Sequence, residues 1–269
     1  MPSPSSRAPL AATQRARLAQ FAPRVFARSV DAHCHVLPGV DDGPRTMNDA
    51  VALARLLVRD GFTDVIATPH ALGRYDGYNW APGVRRAVAE FQAELDAQRV
   101  PLTVHAGSEV RVDERIPRLL KTDEVLTLAD TKRFVLLELP TSMTVSADAV
   151  MGLFKGASVT IVLAHAERYD MLRRDPAGAE AWVAAGAVLQ VNAASLVGDG
   201  PDDSRDAAFL WIEQGWLSML ATDAHSVGSR RPRMTEAIDV LMKEFGEEIA
   251  RTLCLDNPAK LLPPIQGQA

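Results

Sequence analysis

Val30-Asp31-Ala32-His33-Cys34-His35-Val36-Leu37 is a short, apolar, β-prone run with two imidazoles near its end, and it sets the pattern for the rest of the chain. Six further runs follow, at residues 64–70, 102–112, 134–139, 160–165, 188–196 and 217–225. Helical patterns lie between them. In residues 46–60, Met47, Ala50, Val51, Ala54, Leu57 and Val58 recur at helical spacing. Thr46 with Asp49 predicts a capping box there, and Gly61 stands where a helix stop is expected. Val84, Val88, Phe91 and Leu95 mark a second amphipathic helix. Ala207, Leu210 and Trp211 fit a later one, and Ile238, Leu241, Met242 and Phe245 another. Strands alternating with helices argue for an α/β fold of parallel strands covered by helices. No repeat and no long linker interrupts the pattern, which predicts one domain over residues 30–263 and a short tail over 264–269.

The 269 residues, 47% of them hydrophobic, are enough for a substantial core. No apolar run approaches the roughly 20 residues that span a bilayer. A formal net charge of −5 argues against a nucleic-acid binder held by a broad basic surface. Two cysteines, Cys34 and Cys254, make no disulfide framework, which points to a reducing, cytoplasmic setting. Residues 1–29 differ from the rest. They carry Arg7, Arg15, Arg17, Arg24 and Arg28 with no acidic residue, and they lack the apolar stretch of a secretory signal. A disordered or loosely helical extension is expected there.

The chemistry sits where the strand runs end. The first run carries His33 and His35, followed by Asp41 and Asp42. The second ends at His70, the third reaches Glu109, the fourth Glu138, the fifth His165, and the seventh Asp223 and His225. The sixth offers Asn192. In parallel α/β barrels active sites gather at the C-terminal ends of strands, and strand residues two apart share a face. His33 with His35, and Asp223 with His225, are therefore expected to point together. A lone histidine in a strand is ordinarily a satisfied core residue. Here five of the six histidines fall at strand ends, and independent accidents explain that poorly. His105 lies deeper in its run and reads as structural. Cys34 points to the opposite face from its neighbours and reads as a small buried hydrophobe.

Imidazole and carboxylate without thiolate suit Mn²⁺, Fe or Zn²⁺. Nine such side chains exceed what one ion needs and allow two or three. Clustered cations can hold phosphate oxygens, lower the pKa of bound water and stabilise in-line displacement. Arg168 and Arg230, just beyond two ligand-bearing strands, suit bidentate contact with a phosphate. Neither cysteine begins a Cys-x₅-Arg loop, so a thiolate phosphatase is excluded.

Asp-Ala-His-Cys-His, Pro-Gly-Val-Asp-Asp-Gly, Ala-Thr-Pro-His, Gly-Ser-Glu-Val-Arg, Leu-Glu-Leu-Pro, Ala-His-Ala-Glu-Arg, Gln-Val-Asn-Ala-Ala-Ser-Leu-Val-Gly and Thr-Asp-Ala-His occur in that order. The ordered set resembles the polymerase-and-histidinol-phosphatase (PHP) superfamily. Within it, the chain is most similar to the bacterial manganese-dependent tyrosine-protein phosphatases of capsule and exopolysaccharide operons. The resemblance runs from about Val30 to Leu262. It implies a distorted seven-stranded (β/α) barrel, TIM-like in plan, holding three metal ions. His33, His35, Glu109 and Asp223 would bind the first, with Glu109 bridging to a second that also takes Glu138 and His165. Asp42, His70 and His225 would hold the third, and Asp41 would support them from a turn. Ala71, Ala166 and Tyr169 depart from the family's usual residues and are expected to bear on substrate fit more than on catalysis.

The implied activity is hydrolysis of phosphotyrosine on a protein, with the tyrosine-phosphorylated tail of a bacterial kinase that controls polysaccharide synthesis as partner. Tyr75, Tyr78 and Trp80, in the loop after His70, are candidates to pack against the phosphotyrosine ring. Two other readings stay open: a phosphatase of a small ester such as histidinol phosphate or a sugar phosphate, and a regulatory module that binds metal without turnover. An amidohydrolase would also open with His-x-His but would usually want a carboxylated lysine where Glu138 stands.

Overall fold

The computed structural model of the protein describes residues 28–141 and 143–263. The expected extension therefore lies outside the described residues apart from Arg28 and Ser29, and so does the tail over 264–269. The described residues form nine strands: β1 (Val30–Cys34), β2 (Asp64–Ala67), β3 (His70–Ala71), β4 (Thr103–Ala106), β5 (Glu109–Arg111), β6 (Phe134–Glu138), β7 (Thr160–Leu163), β8 (Val188–Asn192) and β9 (Leu217–Ala221). All pair in parallel. They make a three-stranded sheet, β1-β2-β4, and a six-stranded sheet, β3-β5-β6-β7-β8-β9.

Nine strands stand where the sequence runs predict seven, for a local reason. The run at 64–70 breaks at Pro69, which has no N–H to give a ladder. The run at 102–112 breaks at Gly107, which approaches β2 so closely that a Cβ there would meet Ile66 Cγ2 at 2.8 Å. Their first halves, β2 and β4, stay with β1, while β3 and β5 lead into the larger sheet. The run at 188–196 is also shorter than expected. Its strand stops at Asn192, and Ala193–Leu196 turns into a short helix that stays buried, so apolarity alone hid the boundary.

The helices follow the expected spacing. In Met47–Arg59 the capping box is present in both directions, Thr46 Oγ1 accepting from Asp49 N and Asp49 accepting from Thr46 N. Gly61, with φ of 103°, follows its last turn. Ala81–Ala97 buries Val84, Phe91 and Leu95, Ser204–Glu213 buries Ala207 and Trp211, and Met234–Glu244 buries Ile238 and Leu241. These faces pack on outward-pointing strand residues such as Val135, Leu137, Ile161 and Leu163 to make the larger core. A smaller core gathers Val30, Ala32, Ile66, Leu136, Val162, Met219 and Ala221 from strands of both sheets, with Leu261 and Leu262 at its base. No helix among the described residues is long and apolar enough to cross a membrane.

Two long-range features position the site. Asp223 N donates to His33 O at 2.8 Å and His35 N to Ala224 O at 2.9 Å, so the end of β1 is tied to the segment after β9. Asp60, at the end of Met47–Arg59, accepts from Met234 N at 2.7 Å and Thr235 N at 3.1 Å, capping a helix 174 residues away. Asp60→Ala is expected to destabilise the fold by about 2 kcal/mol, the loss of a cap with two charge-assisted bonds. A urea titration checks this as a lower midpoint at unchanged slope.

Candidate metal centre

Backbone irregularities aim the site's side chains. Val30 and Ala32 belong to the inner core, and simple alternation would turn His33 away from it. The register of β1 against β2 shifts between Asp31 and Cys34, and such a shift re-aims the residues beyond it. His33 and His35 then meet, Nε2 to Nε2 at 3.2 Å, while Cys34 packs in the outer core. His165 follows the outward-facing Leu163 by two and would face outward too. Its φ of 32° and ψ of 53° turn it into the cleft. Asp223 has φ of 50°. Left-handed backbone at a non-glycine residue costs of order 1 kcal/mol or more and persists where surroundings impose it.

The nine side chains named from the sequence come together at one end of the strands, and six of them, Asp42, His70, Glu109, Glu138, His165 and Asp223, line a cavity of about 450 Å³. Glu109, buried, is at the middle. Its Oε2 lies 2.9 Å from His70 Nδ1, 3.3 Å from His35 Nε2 and 3.5 Å from His33 Nε2, and its Oε1 lies 2.8 Å from His165 Nε2. Asp223 Oδ1 is 3.5 Å from both His33 Nε2 and His35 Nε2. Asp42 Oδ1 lies 3.2 Å from His70 Nε2 and 3.3 Å from His225 Nε2. Three overlapping groups have ligand atoms within 4.8 Å of one another: His35, Asp42, His70 and His225; His33, His35 and Asp223; His70, Glu109 and Glu138. His165 joins them through Glu109 and not through a group of its own.

The donor set fits cations. Glu109 Oε2 and His225 Nε2 are buried yet have no hydrogen bond of proper direction, despite these short separations. Atoms that crowd without bonding to one another are converging on a shared centre. Asp41 supports them: its Oδ2 contacts His35 Nδ1 at 2.7 Å and its Oδ1 accepts from Gly43 N at 2.9 Å. That contact fixes His35 with Nε2 toward the centre, the usual way a carboxylate orients a ligating imidazole. Gly43 is required here, because a Cβ would lie 2.4 Å from His35 O.

The charges follow from this crowding. Burial opposes ionisation of Glu109 and Asp223, but the facing His33 imidazole and further cationic neighbours hold both carboxyls well below the usual range. Contacts from His225 and His70 do the same for Asp42. Burial disfavours protonated His35 and His70, yet Asp41 raises the first to about 9, and Asp42 with Glu109 raises the second to about 11. Burial and His35 push His225 down to about 4.

A cation must displace the protons on His35 and His70. Metal binding at pH 7 is therefore expected to release protons, read by calorimetry in buffers of different ionisation enthalpy, and to tighten as pH rises. A histidine whose folded pKa lies above its ordinary 6.5 stabilises the metal-free fold fully below 6.5. The chelated protein should thus lose thermal stability from pH 6.5 to about 9, the range set by His35, while the metal-loaded protein should not.

The arginines line the same cavity. Arg168 Nη1 lies 2.9 Å from Asp223 Oδ2, and Arg230 contacts Asp223 and Asp42 at 3.3 Å. Tyr75 lines it too, stacked on His70 with ring centroids 5.3 Å apart at 12°. The other two aromatic candidates are placed elsewhere. Tyr78 is 68% exposed, and Trp80 packs on the outer core. Tyr169 is buried behind His165, its hydroxyl accepting from Leu139 N, so it bears on the position of His165 and not on substrate contact. His105 pairs with Asp64 at 2.8 Å, away from the cavity.

Two supporting residues, Gln190 and Arg111, stand outside the set expected from the sequence, and a third, Asn192, was named there without a role. Gln190 Oε1 contacts His33 Nδ1 at 3.0 Å and accepts from His165 N at 2.9 Å. Asn192 Nδ2 donates to Asp223 Oδ2 at 2.8 Å. Arg111, paired in register with Glu138, holds it at 3.0 Å. The i, i+2 spacing of Gln190 with Asn192 and of Glu109 with Arg111 was the available signal.

A strand-end cluster of imidazoles and carboxylates, rimmed by arginine on a parallel α/β scaffold, defines a metal-dependent hydrolase class. The comparisons narrow it: residues 29–263 match the family described as capsular polysaccharide synthesis, CpsB/CapC, and the chain belongs to that family. It is 33% identical to the tyrosine-protein phosphatase YwqE of Bacillus subtilis over 222 residues, covering 82% of this chain and 86% of that protein. It is 28% identical to the tyrosine-protein phosphatase CpsB of Streptococcus pneumoniae over 243 residues, covering 87% and 98%. A crystal structure from work on these two proteins, described as unique metal-dependent tyrosine phosphatases, superimposes with a TM-score of 0.79 at 32% identity, covering 87% of this chain and 94% of that one.

Proposed function

We propose that this chain is a metal-dependent protein-tyrosine phosphatase whose substrate is the phosphorylated tail of a bacterial tyrosine kinase controlling capsule or exopolysaccharide synthesis. The observation that carries the reading is the gathering of nine imidazoles and carboxylates at the strand ends, six of them lining a cavity that Arg168 and Arg230 also line. The names of the relatives support the substrate class. The two sheets are read as one distorted (β/α)₇ barrel in which each broken run counts once. The bridge between Cys34 and Ala224 supports that reading. Two buried free cysteines fit a cytoplasmic setting.

Two or three divalent ions, Mn²⁺ first, with Fe or Zn²⁺ as other fits, would be held by His33, His35, Glu109 and Asp223, by Glu109, Glu138 and His165, and by Asp42, His70 and His225. Bound there, they would supply positive charge for phosphate oxygens, a lowered pKa for water and support for the leaving oxygen. Arg168 and Arg230 would clamp the nonbridging phosphate oxygens, since both guanidinium groups line the cavity. Tyr75 would flank the substrate ring. A phenolate leaves more readily than an alkoxide, because tyrosine has a pKa of ~10, and so needs less protonation.

Steady-state hydrolysis of a phosphotyrosine peptide, histidinol phosphate and a sugar phosphate, each with Mn²⁺, tests the reading. A higher kcat/KM for the peptide is expected. Preference for either small ester would keep the site and overturn the substrate.

A further inference from the structure

Glu167 stands in the chain between His165 and Arg168, yet its side chain shares neither the metal cluster nor the cavity wall. It is fully buried. Ala166–Arg168 form a single 3₁₀ turn beyond the end of β7. Such a helix has three residues per turn, so consecutive side chains leave it about 120° apart. Here Ala166 packs in the outer core, Glu167 reaches the end of β8, and Arg168 lines the cavity. Whatever fixes the direction of Glu167 therefore fixes that of Arg168.

The carboxylate is fastened at one oxygen. Oε1 accepts from Ser195 Oγ at 2.7 Å and from Asn192 N at 3.2 Å, whereas buried Oε2 meets no donor among the described residues. The carbonyl of Glu167 is held too, accepting from Arg173 Nη1 at 3.0 Å and from Ser204 Oγ at 3.3 Å. Ser195 is itself hemmed in, because a Cβ at Gly200 would lie 2.7 Å from its Oγ. Asn192 is the shared reference. Its N–H goes to Glu167, its Nδ2 donates to Asp223 Oδ2 at 2.8 Å, and that same oxygen lies 2.9 Å from Arg168 Nη1. The turn is thus tied to one residue from both sides, and rotating it would carry the guanidinium off Asp223. His165 is held separately, by Gln190 at its N–H and by Glu109 at its ring.

We infer that Glu167 is a positioning residue: through Asn192 N and Ser195 Oγ it sets the turn from which Arg168 enters the cavity, and so aims the guanidinium that receives the phosphate. The inference rests on the phosphatase reading and on the phosphate role of Arg168. It adds the buried contact on which that role depends. A misplacement of about 1 Å in such a group is costly even when its cause lies away from the chemistry.

The test measures kcat/KM for a phosphotyrosine peptide with the full chain loaded with Mn²⁺. It compares wild type, Glu167→Ala, Glu167→Gln, Arg168→Ala and the double variant Glu167→Ala with Arg168→Ala. Glu167→Ala is expected to lose about tenfold to a hundredfold at unchanged metal content, the scale on which an outer support acts. Glu167→Gln should recover most of that loss, because its carbonyl oxygen can accept the same two bonds. In the Arg168→Ala background Glu167→Ala should cost nothing further, since a residue that acts through another has no effect once the other is gone. Should Glu167→Ala not fold, Ser195→Ala removes one of the two bonds and reads the same coupling, with a partial loss that vanishes beside Arg168→Ala. A lower urea midpoint with kcat/KM of the folded protein unchanged would make Glu167 merely structural and overturn the inference. Losses that multiply in the double variant, or Glu167→Gln as impaired as Glu167→Ala, overturn it too. In each of these cases an impaired Arg168→Ala leaves the phosphatase reading standing. Full activity in Arg168→Ala removes the phosphate role and the inference with it, and wild-type protein inert toward the peptide overturns the phosphatase reading itself.

Discussion

Glu109→Gln is expected to lower phosphotyrosine hydrolysis by at least about a thousandfold, the scale on which a metal-assisted reaction depends on its ions. The reason is positional. The two carboxylate oxygens of Glu109 reach four imidazoles, those of His33, His35, His70 and His165, at separations of 2.8 to 3.5 Å. No other side chain in the cluster touches as many. Glutamine keeps the shape but removes the negative charge. It also turns an N–H₂ toward imidazole nitrogens or toward the cation that should stand there. Burial makes the change severe, since Glu109 is only 1% exposed and water cannot compensate. Metal content per chain and turnover should fall together, while the unfolding transition stays cooperative because the core beneath is untouched. Full metal content with near-normal turnover would show that Glu109 is a bystander.

Arg168→Ala is expected to lower kcat/KM for the same substrate by about a hundredfold to a thousandfold, with metal content retained. A preorganised cation aimed at developing phosphoryl charge has an effect of that order. Arg168 sits 2.9 Å from Asp223, about one-third exposed, on the short turn that follows His165. Asp223 does not lose its support in the variant, because Asn192 still donates to it and Arg230 remains beside it. The loss should therefore be in phosphate handling and not in assembly of the site. Arg168→Lys separates charge from geometry. It should recover only part of the loss, because an ammonium lacks the planar fork that binds two oxygens at once. Full activity in Arg168→Ala would remove this residue from the chemistry.

The ligand set was legible in the sequence because it depends on local facts: which residue type ends each run, and which pairs stand two apart. His33 with His35 and Asp223 with His225 illustrate both. The supporting contacts were not legible. Spacing put Gln190 on the face of Asn192, but that it bonds at once to His33 and His165, and that Asp60 caps a helix 174 residues onward, are consequences of packing. Strand boundaries failed where apolarity carried on past a backbone break. Pro69 and Gly107 split two runs, and Ala193–Leu196 folded into helix while staying as buried as a strand. His165 is the instructive case. Alternation would turn it outward, and only its left-handed backbone brings it to Glu109.

The central claim is that phosphotyrosine hydrolysis depends on cations held by this cluster. It is tested most directly by chelating the metal from wild-type protein, then restoring Mn²⁺, while following phosphate release from a phosphotyrosine peptide, with His35→Ala alongside. Activity that disappears on chelation, returns with Mn²⁺ and is absent in His35→Ala at either stage is the predicted result. Peptide hydrolysis that survives chelation, or that His35→Ala retains, would contradict the account.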